Sequence, residues 1–96
     1  MAEAKTRILV VDDERPIRRF LSTSLGAHDY QVFEAADGPG ALVAVIDCRP
    51  DLIILDLGLP GMDGVQVTQR LREWSSLPII ILSVRDQEGD KIAALD

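Results

Sequence analysis

The segment Leu52-Ile53-Ile54-Leu55-Asp56-Leu57-Gly58-Leu59-Pro60-Gly61-Met62-Asp63-Gly64 contains a strand, a loop and the start of a helix. Its first four residues are all apolar, which predicts a strand that is covered on both faces in a parallel sheet. Asp56 ends this strand and precedes a loop, so it has no helix to cap and is a candidate functional residue. Asp63 precedes a helical pattern, which favours an N-cap role.

Three further short strands are predicted on either side of this segment. Residues 8–11 and 79–82 are apolar throughout, whereas residues 30–33 are mixed, which is typical of an edge strand. Apolar residues at helical spacing fill the gaps and predict four helices: one after Glu14, one ending before Pro50, one from Asp63, and one from about Asp86 through Ile92 and Leu95. Strand and helix alternating four times predict an open α/β sheet of parallel strands with helices on both faces.

The composition excludes several classes of protein. The chain has 96 residues, of which 47% are hydrophobic and 27% charged, and this fits one folded domain and not a disordered chain. The net charge of −6 disfavours direct binding of nucleic acid or of a membrane surface. Cys48 is the only cysteine, and the N-terminal apolar run is too short for a signal peptide or a membrane span. We therefore expect a cytoplasmic protein with protein partners.

Polar residues, most of them acidic, end the predicted buried strands. Asp12 and Asp13 follow the first strand, Asp56 the third, and Ser83 the fourth. Parallel strands bring these residues to one edge of the sheet, and a strand order of 2-1-3-4 would place the three carboxylates around one crevice. Such a cluster needs a cation, and Mg²⁺ prefers oxygen ligands of this kind. The alternatives are that Asp12 or Asp13 only caps the next helix and that Ser83 only forms a turn.

Three segments together resemble the receiver domain of two-component response regulators: Asp12-Asp13-Glu14, residues 56–64 and residues 77–83. The resemblance implies a flavodoxin-like fold with strand order 2-1-3-4. Within this family the chain is similar to winged-helix-class regulators that control potassium uptake, judged by residues 56–60, 71–75 and 90–96.

The resemblance also implies a role for each candidate site residue. Asp56 would accept a phosphoryl group from a sensor histidine kinase. Asp13 would bind Mg²⁺ directly, Asp12 mostly through water, and Gly58 through its backbone carbonyl. Ser83 would turn toward the phosphoryl group on activation. Such a domain is a signalling phosphoacceptor, not an enzyme with a separate substrate, and it controls transcription in a full-length regulator.

Receivers continue into a fifth strand that carries a lysine and an aromatic switch residue, and then into a fifth helix. We expect residues 1–96 to be a receiver domain that lacks this last pair, because neither Lys5 nor Lys91 matches the lysine position. The fourth strand should then be an exposed apolar edge, and two copies could pair through it or through the fourth helix. DNA binding would need a further C-terminal domain.

Other functions stay open. A pseudo-receiver that binds proteins but is phosphorylated poorly would explain the missing lysine. A phosphatase or mutase that forms an aspartyl phosphate would have a second acid at the position of Gly58. A nucleotide- or flavin-binding module would have a glycine-rich loop in place of Asp12-Asp13-Glu14.

The basic residues of the predicted helices are expected to be solvated, with docking of a kinase on the first helix as a minor alternative. They are Arg18, Arg19, Arg70 and Arg72.

Overall fold

The chain forms one sheet with helices in the connections between its first four strands. A computed structural model of the protein describes residues 5–83 and 91–95, and for residues 83 and 91–95 it describes the backbone alone. The elements are β1 (Arg7–Val11), α1 (Arg15–Ala27), β2 (Gln31–Ala35), α2 (Gly38–Cys48), β3 (Leu52–Asp56), α3 (Gly64–Arg72), β4 (Ile79–Ser83) and β5 (Lys91–Leu95). The strand order is β2-β1-β3-β4-β5, and the first four strands are parallel. This confirms the predicted parallel sheet, its order 2-1-3-4 and the edge position of β2.

The all-apolar runs of the sequence form the centre of the sheet. Leu9 of β1 and Ile53 and Leu55 of β3 have no exposed surface. Helices α2 and α3 cover one face of these strands, because their apolar residues belong to the same buried cluster: Ala41, Val45, Val67 and Leu71. The central strands are therefore well packed, and the acidic residues lie at their carboxyl ends.

Helix α1 lies on the opposite face of the sheet. The chain moves one way across the sheet from β1 to β2 and the other way from β2 to β3 and from β3 to β4. Because crossovers between parallel strands are right-handed, this reversal places α1 on one face of the sheet and α2 and α3 on the other. Pro16 lies in its first turn, where a missing N–H does no harm. The helix has no fully buried residue, and Phe20 is 68% exposed. Among the described residues no helix is long and apolar enough to cross a membrane.

Asp63 is the N-cap of α3, as predicted. Its Oδ1 atom accepts the backbone N–H of Gln66 at 2.9 Å, and the side chain of Gln66 accepts the backbone N–H of Asp63 at 3.1 Å. This reciprocal capping box satisfies backbone donors that the helix leaves unpaired. Helix α3 therefore begins at a defined residue just beyond the loop that follows Asp56.

The predicted fourth helix is wrong for residues 91–95. Their backbone forms β5, which pairs antiparallel with β4, from Ile79 opposite Leu95 to Ser83 opposite Lys91; the predicted start near Asp86 lies outside the described residues. The unpaired N–H and C=O groups of an apolar edge strand attract a further strand, and a short connection permits antiparallel pairing only. The expected open edge of β4 is thus occupied within the chain, so a homodimer through that edge loses its basis, whereas pairing of two copies through residues near Asp86 stays a prediction.

Candidate functional site

Three carboxylates meet at the carboxyl ends of β1 and β3. Val11 pairs with Leu55, so Asp12 and Asp56 stand on neighbouring strands at the same level of the sheet. Asp12 is 1% exposed and Asp56 is 6% exposed, whereas Asp13 is exposed. One carboxylate oxygen from each residue lies within 4.8 Å of the other two. The structure thus brings together the three acids that the sequence placed at one edge.

The backbone and side chain of Asp12 are held by specific hydrogen bonds. Its backbone N–H donates to the Ala35 carbonyl of β2 at 3.1 Å, and its Oδ1 atom accepts the backbone N–H of Glu14 at 2.8 Å. Its Oδ2 atom is buried without a hydrogen-bond partner. The N-cap of α1 is Glu14, so the capping alternative for Asp12 and Asp13 is wrong. Asp12 therefore has one oxygen that is hydrogen-bonded to the loop and one buried oxygen that has no hydrogen-bond partner.

The electrostatics of the pocket favour a cation. Burial raises the pKa of Asp12, and the charges of Asp56, Asp13 and Glu14 raise it further, although the hydrogen bond from the Glu14 backbone lowers it. A raised pKa means that the ionised carboxylate is held at a cost in free energy. A divalent cation among the three acids would remove that cost.

The loop after Asp56 packs closely against its strand. The backbone N–H of Gly58 donates to Asp56 Oδ1 at 3.1 Å. At the end of the loop, a Cβ atom on Gly64 would lie 2.7 Å from the Asp56 carbonyl oxygen, so only glycine fits at the start of α3. Gly61 has φ of +77°, a conformation that also favours glycine. These contacts fix the path of the loop that follows Asp56.

Ser83 is the last residue of β4. Leu82 pairs with Asp56, so the backbone of Ser83 lies one residue beyond the level of Asp56 on the neighbouring strand. The side chain of Ser83 lies outside the described part of the structure. Its proposed contact with a phosphoryl group stays a prediction.

The expectation that the basic residues are solvated is wrong for Arg18. Its Nη1 atom donates to the backbone carbonyl of Asp12 at 2.7 Å, and its Nε atom donates to Glu34 Oε1 at 3.0 Å. No local pattern in the sequence indicates these contacts, because they depend on β2 lying beside β1. Arg72 is also half-buried, with Nη1 donating to the Leu77 carbonyl at 2.7 Å, where it supports the loop before β4.

Comparison with known proteins identifies the family. The sequence model of the response regulator receiver domain family matches residues 8–96 of this chain. The KDP operon transcriptional regulatory protein KdpE of Escherichia coli is 52% identical over 91 residues, which cover 95% of this chain and 40% of that protein. The chain therefore belongs to the response regulator receiver family, as its motifs predicted, and it spans less than half the length of that relative.

Solved structures of receiver domains have the same fold. Chemotaxis protein CheY4 of Vibrio cholerae aligns with a TM-score of 0.81 and 33% identity, covering 88% of this chain and 72% of that chain. The BeF3-activated N-terminal receiver domain of RstA from Klebsiella pneumoniae aligns with a TM-score of 0.81 and 31% identity, covering 86% and 71%. Both matches support a receiver fold for this chain.

Proposed function

We propose that this receiver domain accepts a phosphoryl group on Asp56 from a sensor histidine kinase, in a reaction that needs Mg²⁺. The observation that carries the proposal is the convergence of Asp12, Asp13 and Asp56, of which two are buried and one has an orphaned oxygen. Buried like charges of this kind are unfavourable in a structural role alone and are typical of functional sites.

The residues present fit a hard divalent cation. The Oδ2 atom of Asp12 is buried without a hydrogen-bond partner, and all three residues offer oxygen ligands. Asp13, Asp12 and Asp56 would hold the ion, together with the backbone carbonyl of Gly58. Bound Mg²⁺ would neutralise the negative charge that builds on a transferring phosphoryl group.

Asp56 would act as the nucleophile. One of its carboxylate oxygens forms a bond to phosphorus while the bond from phosphorus to the histidine nitrogen of the kinase breaks, and the histidine keeps that electron pair. The Gly58 N–H on Oδ1 helps to orient the Asp56 carboxylate for this attack. The hydroxyl of Ser83 would then bind the transferred group and report it to the rest of the domain.

The domain would act in signalling and not as an enzyme with a separate substrate. The KdpE relative is a transcriptional regulatory protein more than twice as long as this chain, since the match covers 40% of it. We propose that this domain receives the signal in the cytoplasm and that DNA binding belongs to a separate domain.

Phosphorylation by acetyl phosphate tests the proposal directly. The protein is incubated with acetyl phosphate with and without Mg²⁺, and the mass gain and its position are determined by mass spectrometry. We expect one phosphoryl group on Asp56 that requires Mg²⁺, that is lost in Asp56→Asn, and that persists in Asp47→Asn, an exposed aspartate of α2. Folded protein that binds Mg²⁺ but is not labelled would support the pseudo-receiver instead.

A further inference from the structure

We propose that Arg18 is a positioning residue of the acidic pocket, which fixes the peptide between Asp12 and Asp13 and thereby sets the direction of the Asp13 side chain. This inference rests on the proposed Mg²⁺ site. It concerns a residue that does not itself bind the ion.

The Arg18 side chain connects three parts of the structure. It starts on α1, donates through Nη1 to the Asp12 carbonyl after β1 at 2.7 Å, and donates through Nε to Glu34 on β2 at 3.0 Å. Its side chain is 16% exposed and that of Glu34 is 35% exposed, so this ion pair is partly shielded from water. The planar guanidinium reaches two acceptors at once, which an ammonium group cannot do in the same geometry.

These contacts hold the Asp12 backbone from both sides. Its N–H donates to the Ala35 carbonyl at 3.1 Å, and its carbonyl accepts from Arg18. Because the peptide bond is planar, fixing the Asp12 carbonyl also fixes the backbone nitrogen of Asp13. Asp13 is exposed, so packing does little to orient its side chain. The peptide plane held by Arg18 therefore constrains the position from which the Asp13 side chain starts.

The charge of Arg18 acts against this geometric role. A cation near the carboxylates opposes binding of a second cation by Coulomb repulsion. Loss of the charge alone should thus tighten Mg²⁺ binding, whereas loss of the positioned peptide should weaken it. The two effects have opposite signs, so a binding measurement can tell them apart.

The test compares Arg18→Gln with Arg19→Gln. The second variant removes the same charge from the next residue of the same helix, where the side chain is exposed. The dissociation constant for Mg²⁺ is measured by isothermal titration calorimetry without a phosphodonor, and urea unfolding checks that each variant is folded. We expect Arg18→Gln to bind Mg²⁺ about tenfold more weakly, as is common when a residue that orients a metal ligand is removed. Arg19→Gln should bind equally well or slightly more tightly.

Arg18→Lys and Glu34→Gln keep the inference testable if Arg18→Gln does not fold. Lysine keeps the charge but cannot donate to the Asp12 carbonyl and Glu34 in the same geometry, so Arg18→Lys should also weaken Mg²⁺ binding. Glu34→Gln should weaken Mg²⁺ binding less. Unchanged or tighter binding in folded Arg18→Gln or Arg18→Lys would overturn the inference, as would equal weakening in Arg19→Gln. If the unaltered protein does not bind Mg²⁺, the proposed function itself fails.

Discussion

Asp12 and Asp56 lie side by side at the ends of the two central strands, both buried, with carboxylate oxygens within 4.8 Å of one another and of Asp13. Their position follows from the register that pairs Val11 with Leu55. Two buried acids at this distance repel one another, so the folded domain stores an unfavourable interaction in the absence of a cation.

Asp12→Asn should stabilise the protein at neutral pH when Mg²⁺ is absent. The pKa of Asp12 is raised by burial and by the neighbouring acids, so the folded state binds its proton more tightly than the unfolded state does. That contribution to stability is present at low pH and is lost as the pH rises through the raised pKa. Asparagine keeps an oxygen for the Glu14 N–H and carries no charge, which should raise the free energy of unfolding by an amount on the order of 1 kcal/mol.

Urea unfolding as a function of pH, in the presence of a chelator, would measure this effect. As the pH rises through the raised pKa of Asp12, the free energy of unfolding should fall more for the unaltered protein than for Asp12→Asn. Asp47→Asn, which changes an exposed acid of α2, serves as the control. A loss of stability in Asp12→Asn at neutral pH would show that the ionised carboxylate does not destabilise the folded protein.

Mg²⁺ should stabilise the folded protein, and acid should remove the effect. A ligand at one hundred times its dissociation constant adds about 2.7 kcal/mol to the free energy of unfolding. Protons compete with the cation for Asp12, whose pKa is raised, so Mg²⁺ binding should weaken as the pH falls through that pKa. Thermal unfolding with and without Mg²⁺ at several pH values should show that Mg²⁺ raises the melting temperature and that Asp13→Asn abolishes this increase. If Mg²⁺ raised the melting temperature of Asp13→Asn equally, the cation would bind elsewhere.

Gly64→Ala should destabilise the domain and disturb Asp56. The added Cβ atom would lie 2.7 Å from the Asp56 carbonyl oxygen and 2.9 Å from the Leu57 Cα atom, both of which belong to the backbone and cannot rotate away. We expect a loss of about 1–3 kcal/mol, the usual cost of overpacking, together with slower phosphorylation of Asp56.

Gly26→Ala is the matched control for this substitution. Gly26 lies in α1, and its added Cβ atom would meet nothing within 4 Å. Alanine in a helix is favoured over glycine by roughly 0.5–1 kcal/mol, so this variant should be more stable and phosphorylated normally. Urea unfolding and acetyl phosphate labelling of both variants would check the pair, and equal effects at the two glycines would contradict the packing argument.

Asp63 should contribute to stability as a helix cap and not to the metal site. Asp63→Ala removes the side-chain oxygen that accepts the Gln66 N–H and should cost about 1 kcal/mol. Asp63→Ser keeps a capping oxygen without the charge and should retain most of the stability. Mg²⁺ affinity should be unchanged in both variants, and a large loss of Mg²⁺ binding in Asp63→Ser would mean that its carboxylate reaches the cation.

The sequence by itself determined the central strands, the cap at Asp63 and the identity of the three acids. These features have local causes: runs of apolar residues predict buried strands, an aspartate before a helical pattern predicts a cap, and an acid that ends a buried strand has few structural reasons to be there. The rule that parallel strands share a carboxyl edge placed Asp12, Asp13 and Asp56 at one edge of the sheet, and the strand order implied by the family resemblance made the first and third strands neighbours.

The tertiary structure alone decided the role of Arg18, the orphaned oxygen of Asp12 and the backbone conformation of residues 91–95. Each depends on which segments lie side by side and not on the residues adjacent in sequence. Arg18 meets Glu34 because β2 pairs with β1 so that Glu34 stands opposite Val10. Similarly, Lys91–Leu95 forms a strand because the edge of β4 offers unpaired backbone groups, and this stabilises a conformation that helical spacing of Ile92 and Leu95 does not predict.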